Sequence, residues 1–162
     1  MEKVIIAVGS NLGDRLDMLR KAGAFLEELT ESVIQKASVW ESEPVGGAKF
    51  SFYNSVAQLE TSLQPLDLLN RLKAFEHNCG REKDPERWAP RILDLDIILY
   101  GNLVIHYDTL IIPHQEYKNR PFVLCPLQEI IPDFRDPKTN IPIGEMVKHA
   151  PEIEISKTDL IW

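Results

Sequence analysis

The sequence predicts an α+β fold: a ferredoxin-like βαββαβ core, with helices packed on an antiparallel sheet, and a Pro-rich C-terminal extension. Three observations predict it. A β-branched run near the N-terminus ends at a glycine. Two segments of helical apolar spacing each follow a strand-like segment. The resulting order of strand, helix, strand, strand, helix, strand is that of the split βαβ motif. One domain over residues 1–162 is expected, since 162 residues with 44% hydrophobic and 27% charged side chains can bury roughly 70% of the unfolded surface without a disulfide or structural metal.

The elements follow in order. Val4-Ile5-Ile6-Ala7-Val8 closes on Gly9 and reads as a buried strand. Asp14 is placed to cap a helix in which Leu16, Leu19, Leu26 and Leu29, with Ala22 and Phe25, recur near helical spacing. Ser32 to Trp40 and Tyr53 to Thr61 read as the second and third strands, joined by a loop containing Pro44, Gly46 and Gly47. Pro65 opens a second helix with an expected apolar face of Leu66, Leu69, Leu72 and Phe75, and Gly80 is placed to end it. A polar loop from Arg81 to Pro90 leads to a fourth strand over Arg91 to Leu99. Gly101-Asn102 then turns the chain into a short strand at Leu103 to Ile105. From Asp108 onward seven prolines interrupt any periodicity, and short helices that wrap the first unit are expected.

Charge and composition exclude several functions. A net charge of −7 argues against a general nucleic-acid-binding face. No apolar run approaches the roughly 20 residues of a bilayer span, and Met1-Glu2-Lys3-Val4 lacks a signal-peptide profile. The two cysteines, Cys79 and Cys125, form neither a disulfide framework nor a zinc spacing. A cytoplasmic protein without nucleic-acid or membrane partners is expected.

The chemistry centres on Arg91-Ile92-Leu93-Asp94-Leu95-Asp96-Ile97. In a strand, residues two apart share a face, so Asp94 and Asp96 stand together while Leu93, Leu95 and Ile97 face the helices. Two carboxylates in an apolar strand are costly to bury unpaired. They fit a solvated face with cross-strand ion pairs, and equally a hard divalent cation such as Mg²⁺. The neighbourhood favours the cation. Arg81, Lys83, Arg87 and Arg91 precede the acids, and His114, Lys118 and Arg120 form a second basic group. Guanidinium groups match phosphate oxygens, so paired acids with convergent arginines suit phosphoryl chemistry. Glu82, Asp84 and Glu86 are interleaved in the first group, which leaves a mixed-charge surface loop as its bland alternative. Phe50, Phe52 and Tyr53, with Phe122 after the second basic group, could sandwich a flat heterocycle whose edge Asn54 reads. Gly9-Ser10-Asn11-Leu12-Gly13 is neither a P-loop nor a dinucleotide fingerprint; locally it reads as a tight turn and helix cap.

These residues carry a resemblance. The run Gly9 to Arg15, Asn54, Glu76 with Gly80-Arg81, the signature Arg87-Trp88-Ala89-Pro90-Arg91-Ile92-Leu93-Asp94-Leu95-Asp96-Ile97, Pro113-His114 and Lys118-Asn119-Arg120-Pro121-Phe122 resemble the 6-hydroxymethyl-7,8-dihydropterin pyrophosphokinase family of folate biosynthesis. The resemblance spans about residues 4 to 130. It implies Mg²⁺-dependent transfer of pyrophosphate from ATP to the pterin hydroxymethyl group, giving AMP. It further implies that Asp94 and Asp96 hold two Mg²⁺ ions and that Arg81 and Arg91 neutralise phosphate. Glu76, Lys83, Arg91, Ile97, His114 and Arg120 would lie on the ATP side. Ser42, Pro44, Val45, Phe52, Asn54, Trp88 and Phe122 would take the pterin, with the loops at 44–51 and 82–91 closing over both substrates. A monomer is expected. The competing readings are a non-catalytic ferredoxin-like binding module and a metal-dependent nuclease; the net charge argues against the latter.

Overall fold

The computed structural model describes residues 1–44, 50–80 and 93–162. The elements run β1 (Glu2–Ser10), α1 (Arg15–Leu29), β2 (Gln35–Lys36), β3 (Trp40–Ser42), β4 (Phe52–Thr61), α2 (Pro65–Asn78), β5 (Asp94–Tyr100), β6 (Ile105–His106), β7 (Ile111–Ile112), α3 (Pro121–Ile130), α4 (Ile143–His149) and β8 (Ile155–Lys157). A short 3₁₀ turn at Tyr117–Asn119 precedes α3. The main sheet has the order β5-β1-β4-β3-β8, with β2 also on β4, and its strand pairs are antiparallel. The β5-β1-β4-β3 portion is the expected βαββαβ core.

Asp14 caps α1 as its position predicts, its Oδ1 accepting the Asp17 N–H at 3.0 Å. α1 buries Leu19, Ala22, Leu26 and Leu29. The face of α2 is rotated from expectation: Leu68, Leu72 and Glu76 are buried, while Leu66 is 42% exposed. The expected set steps by three residues, whereas a 3.6-residue turn carries the buried track along i, i+4 and i+8. Gly80 ends the helix at φ +97°, a conformation natural to glycine.

Ser32 to Trp40 does not form one strand. β2 and β3 bracket a stretch whose carbonyls serve other donors: Ala37 O accepts Ser55 Oγ–H and Trp162 Nε1–H, and Val39 O accepts from Thr158. The strand expected at Leu103 to Ile105 is instead β6, paired with β7.

The segment from Asp108, expected to wrap the core, is a second layer. α3 packs on β4 and β3, and α4 on α3. Ile5, Val56, Ile98, Leu99, Tyr117, Leu124 and Leu127 form this second cluster. Leu93, Leu95 and Ile97 lie in the cluster with α1 and α2, as strand alternation predicts. A register shift opposite Ile5/Ile6 then breaks the alternation, so that Ile98 and Leu99 both turn to the α3 side. β8 adds to the edge of β3, and Trp162 returns to the core.

Candidate active site

The site is built on the α3 face of three neighbouring strands. Asp94 and Asp96 stand opposite Gly9 and Ala7 of β1, which stand opposite Asn54 and Val56 of β4. Residues that pair across antiparallel strands share a face, so the row Asp94–Gly9–Asn54 lies beside the row Asp96–Ala7–Val56. The middle of each row is small. A Cβ at Gly9 would lie 3.1 Å from Asn54 Oδ1 and 3.7 Å from Phe52 Cδ1, so glycine keeps this floor open between the acids and the Asn54 side.

Asp96 gathers cations. Lys73 Nζ lies 3.7 Å from Oδ1, and Arg120 Nη1 and His114 Nε2 lie 3.9 and 4.0 Å from Oδ2. Burial pushes the Asp96 carboxyl up and the neighbouring Asp94 adds to it, while Lys73, His114 and Arg120 offset only part. Burial holds His114 below its usual value against the pull of Asp96, with Arg120 acting in the same direction as burial. The His114 backbone N–H donates to Ile98 O at 2.9 Å, and its Nδ1 accepts the Glu116 N–H at 3.1 Å. The neutral ring therefore carries its proton on Nε2, the nitrogen facing Asp96.

Glu76, expected toward the nucleotide, is 1% exposed; its Oε1 accepts the Leu95 N–H at 2.6 Å and lies 3.2 Å from Lys73 Nζ. It braces β5 between the two acids. Lys73 was not singled out by the sequence. It is a lysine on an amphipathic helix, and its strand partners lie more than twenty residues further on. A cavity of about 340 Å³ opens beside the edge of β5, lined by Leu69, Lys73, Asp96, Ile97, Ile111 and His114 among others. Ile97 and His114 thus reach the same space, apolar on one wall and charged on another.

On the other side, Asn54 Nδ2 donates to Ser42 Oγ at 2.7 Å, and both residues are buried. Phe52 is half-buried beside Gly9, and Phe122 half-buried in the first turn of α3, with the Arg120 guanidinium 5.7 Å from its ring centroid. Pro44 is exposed just after β3. The run from Asn11 to Arg15 does more than cap a helix. Arg15 Nη1 bonds Glu41 Oε2 at 3.0 Å and Ser51 Oγ at 2.9 Å, and its guanidinium stacks 3.7 Å from the Tyr53 centroid. Asn11 Nδ2 donates to Phe50 O at 3.4 Å. Together they pin β3 and residues 50–53 to the start of α1. Val45, Arg81, Lys83, Arg87, Trp88 and Arg91 lie outside the described residues.

Among the described residues no three or more His, Cys, Asp and Glu side chains converge as a metal cluster. Such a carboxylate pair would suit Mg²⁺, which takes one or two carboxylates and completes its shell with water and phosphate oxygens. No helix among the described residues is long and apolar enough to cross a membrane.

Comparison with known proteins shows which family the chain resembles. The chain is 39% identical over 155 residues to the 2-amino-4-hydroxy-6-hydroxymethyldihydropteridine pyrophosphokinase of Pseudomonas aeruginosa, covering 94% of this chain and 90% of that one. It is 40% identical over 154 residues to the enzyme of the same name from Haemophilus influenzae, covering 94% and 95%. A solved HPPK-DHPS of Plasmodium falciparum shares the fold at a TM-score of 0.73 with 16% identity, over 91% of this chain. The present chain spans only 44% of that longer protein. The model of the 7,8-dihydro-6-hydroxymethylpterin-pyrophosphokinase family matches residues 5–132, a span that holds the acid pair, its cations and the Asn54–Ser42 side together, and the chain belongs to that family.

Proposed function

We propose that Asp94 and Asp96 are the metal-binding pair of this chain, and that the Gly9 floor separates a nucleotide side from a pterin side. The activity is that of a 2-amino-4-hydroxy-6-hydroxymethyldihydropteridine pyrophosphokinase, which transfers pyrophosphate from ATP to 6-hydroxymethyl-7,8-dihydropterin in folate biosynthesis. The pterin hydroxymethyl oxygen attacks the β-phosphorus and loses its proton; the bond from that phosphorus to the α-phosphate oxygen breaks, and AMP leaves. Mg²⁺, held by Asp94 and Asp96 as two ions, would screen the phosphate charge.

The single observation that carries this division is the row Asp94–Gly9–Asn54 with Lys73, Arg120 and the His114 ring within 4.0 Å of Asp96. His114 and Arg120 supply donors and positive charge toward the triphosphate, where charge develops on the leaving phosphate. Ile97 gives the cavity beside β5 an apolar wall for the base. Asn54, held in one orientation by Ser42, offers its amide to the edge of the pterin, with Phe52 and Phe122 as stacking surfaces and Pro44 at the rim; Val45 is assigned to the same substrate. Arg81, Lys83, Trp88 and Arg91, which precede Asp94 in the sequence, neutralise phosphate and exclude water. The protein acts as a cytoplasmic monomer with a single domain.

The test is to mix protein, Mg²⁺, ATP and 6-hydroxymethyl-7,8-dihydropterin and identify the nucleotide product by chromatography. Pterin-dependent AMP is expected. ADP would place the attack at another phosphorus, and no turnover would favour a binding module.

A further inference from the structure

Lys73 Nζ meets three oxygens: Leu95 O at 3.0 Å, Glu76 Oε1 at 3.2 Å and Asp96 Oδ1 at 3.7 Å. Leu95 lies between Asp94 and Asp96, and its N–H donates to the same Glu76 oxygen. One turn of α2 therefore grips the peptide groups on both sides of Leu95. An ammonium has three N–H donors and no acceptor; two of them serve Leu95 O and Glu76 Oε1, and Asp96 is met as an ion pair. His114 and Arg120 approach Asp96 from the segment between β7 and α3, at 4.0 and 3.9 Å. Lys73 differs from them in that its charged group is itself hydrogen-bonded to the backbone of β5.

That tether has a consequence for any cation at Asp96. A lysine held only by the carboxylate would swing away when a divalent ion arrived. One anchored on Leu95 O and on the buried Glu76 stays, and its repulsion stays with it in a site that is only partly open to solvent. We infer that Lys73 is a positioning residue, a resident cation that fixes the strand between the two acids and holds down the metal affinity of the nucleotide-free site. Filling of the site is then tied to the arrival of phosphate, which neutralises lysine and metal together. The inference rests on reading Asp94 and Asp96 as the metal pair.

The test titrates Mg²⁺ alone into the nucleotide-free protein at constant ionic strength and follows the rise in Tm, from which the half-saturating concentration is read. Native protein, Lys73→Gln, Lys73→Met, Lys73→Arg and Asp96→Asn are compared. Lys73→Gln and Lys73→Met are expected to half-saturate at roughly three- to tenfold lower Mg²⁺. Lys73→Arg, which keeps the charge, should remain within about twofold of native, and Asp96→Asn should lose the response. Native or weaker affinity in Lys73→Gln and Lys73→Met, with Asp96→Asn unresponsive, overturns this inference and leaves the metal pair standing. A native-like response in Asp96→Asn overturns both. If the native Tm ignores Mg²⁺, a response gained in Lys73→Gln and Lys73→Met supports the inference and its absence there overturns it, the metal pair then being decided by turnover.

Discussion

Asp96 is 26% exposed at its side chain and carries a carboxyl that burial and Asp94 push upward even with Lys73, Arg120 and His114 near it. A group in that position opposes folding and is kept for chemistry. Asp96→Asn, which preserves shape and removes the charge, is expected to lower turnover by roughly a hundredfold or more, while Tm without metal stays level or rises. Parallel assays of AMP formation and thermal melting check this, and a variant that keeps native turnover would sink the metal assignment. Gly9 makes a second test at the same scale. Its φ is not in the left-handed region, so a side chain is barred by space alone: the new Cβ would press on Asn54 Oδ1 at 3.1 Å. Gly9→Val adds two further carbons above that floor, and overpacking typically costs about 1–3 kcal/mol. The expected result is a KM for the pterin raised about tenfold or more, with the KM for ATP changed far less. Equal changes in both would mean that the floor does not separate the two substrates.

At the scale of elements, the strand edge before Pro44 depends on the last residues of the chain. β8 pairs with β3 through Ser42, and beyond it the Glu43 N–H donates to Glu154 O at 3.0 Å while the Glu154 N–H donates to Glu43 Oε1 at 2.9 Å. Trp162 anchors this strap: its Nε1 donates to Ala37 O at 2.8 Å, Lys36 donates to its backbone oxygen at 3.0 Å, and the ring is 8% exposed. Trp162→Ala is expected to lower stability by about 3 kcal/mol or more, and to raise the KM for the pterin but not for ATP, since Ser42 lies on the proposed pterin side. Denaturant midpoints with the two KM values check it. The strap also shows what a sequence conceals. The two acids are legible because a strand alternates with period two and β5 keeps that alternation as far as Ile97. Three-residue β8 has no periodicity to read, and the split of β2 from β3 is caused by Ser55, Thr158 and Trp162, the last of them 125 residues away from Ala37. Lys73 is hidden for the same reason. Its role is fixed by Leu95 O, a partner 22 residues on, that local pattern cannot supply.

For the molecule as a whole, one carboxylate ties the second layer together, another binds it to the sheet, and the two set the response to acid. Asp136, with a fully buried side chain, accepts the Tyr117 hydroxyl, the Thr139 N–H at 2.7 Å and hydroxyl at 2.9 Å, and lies 3.4 Å from Lys118. Glu129 on α3 accepts the Ser38 N–H and hydroxyl at 2.9 and 2.8 Å and Trp40 Nε1–H at 3.0 Å, tying α3 to the start of β3. Burial would raise both groups, yet these donors and the nearby lysines hold both below the ordinary carboxylate range. A carboxyl depressed in the folded state contributes stability that is fully present above its unfolded value, roughly 4, and is lost as pH falls through its folded value. Urea midpoints are therefore expected to be nearly flat from about pH 8 to pH 5 and to fall steeply below about pH 4. Asp136→Asn should lower stability at pH 7 by about 2 kcal/mol or more, because it leaves donors arranged for a charged acceptor, and should flatten the acid limb. Glu129→Gln should do the same to a smaller degree, as its bonds lie at the surface. An acid limb of native steepness in Asp136→Asn would mean that other carboxylates, Glu129 among them, govern acid unfolding.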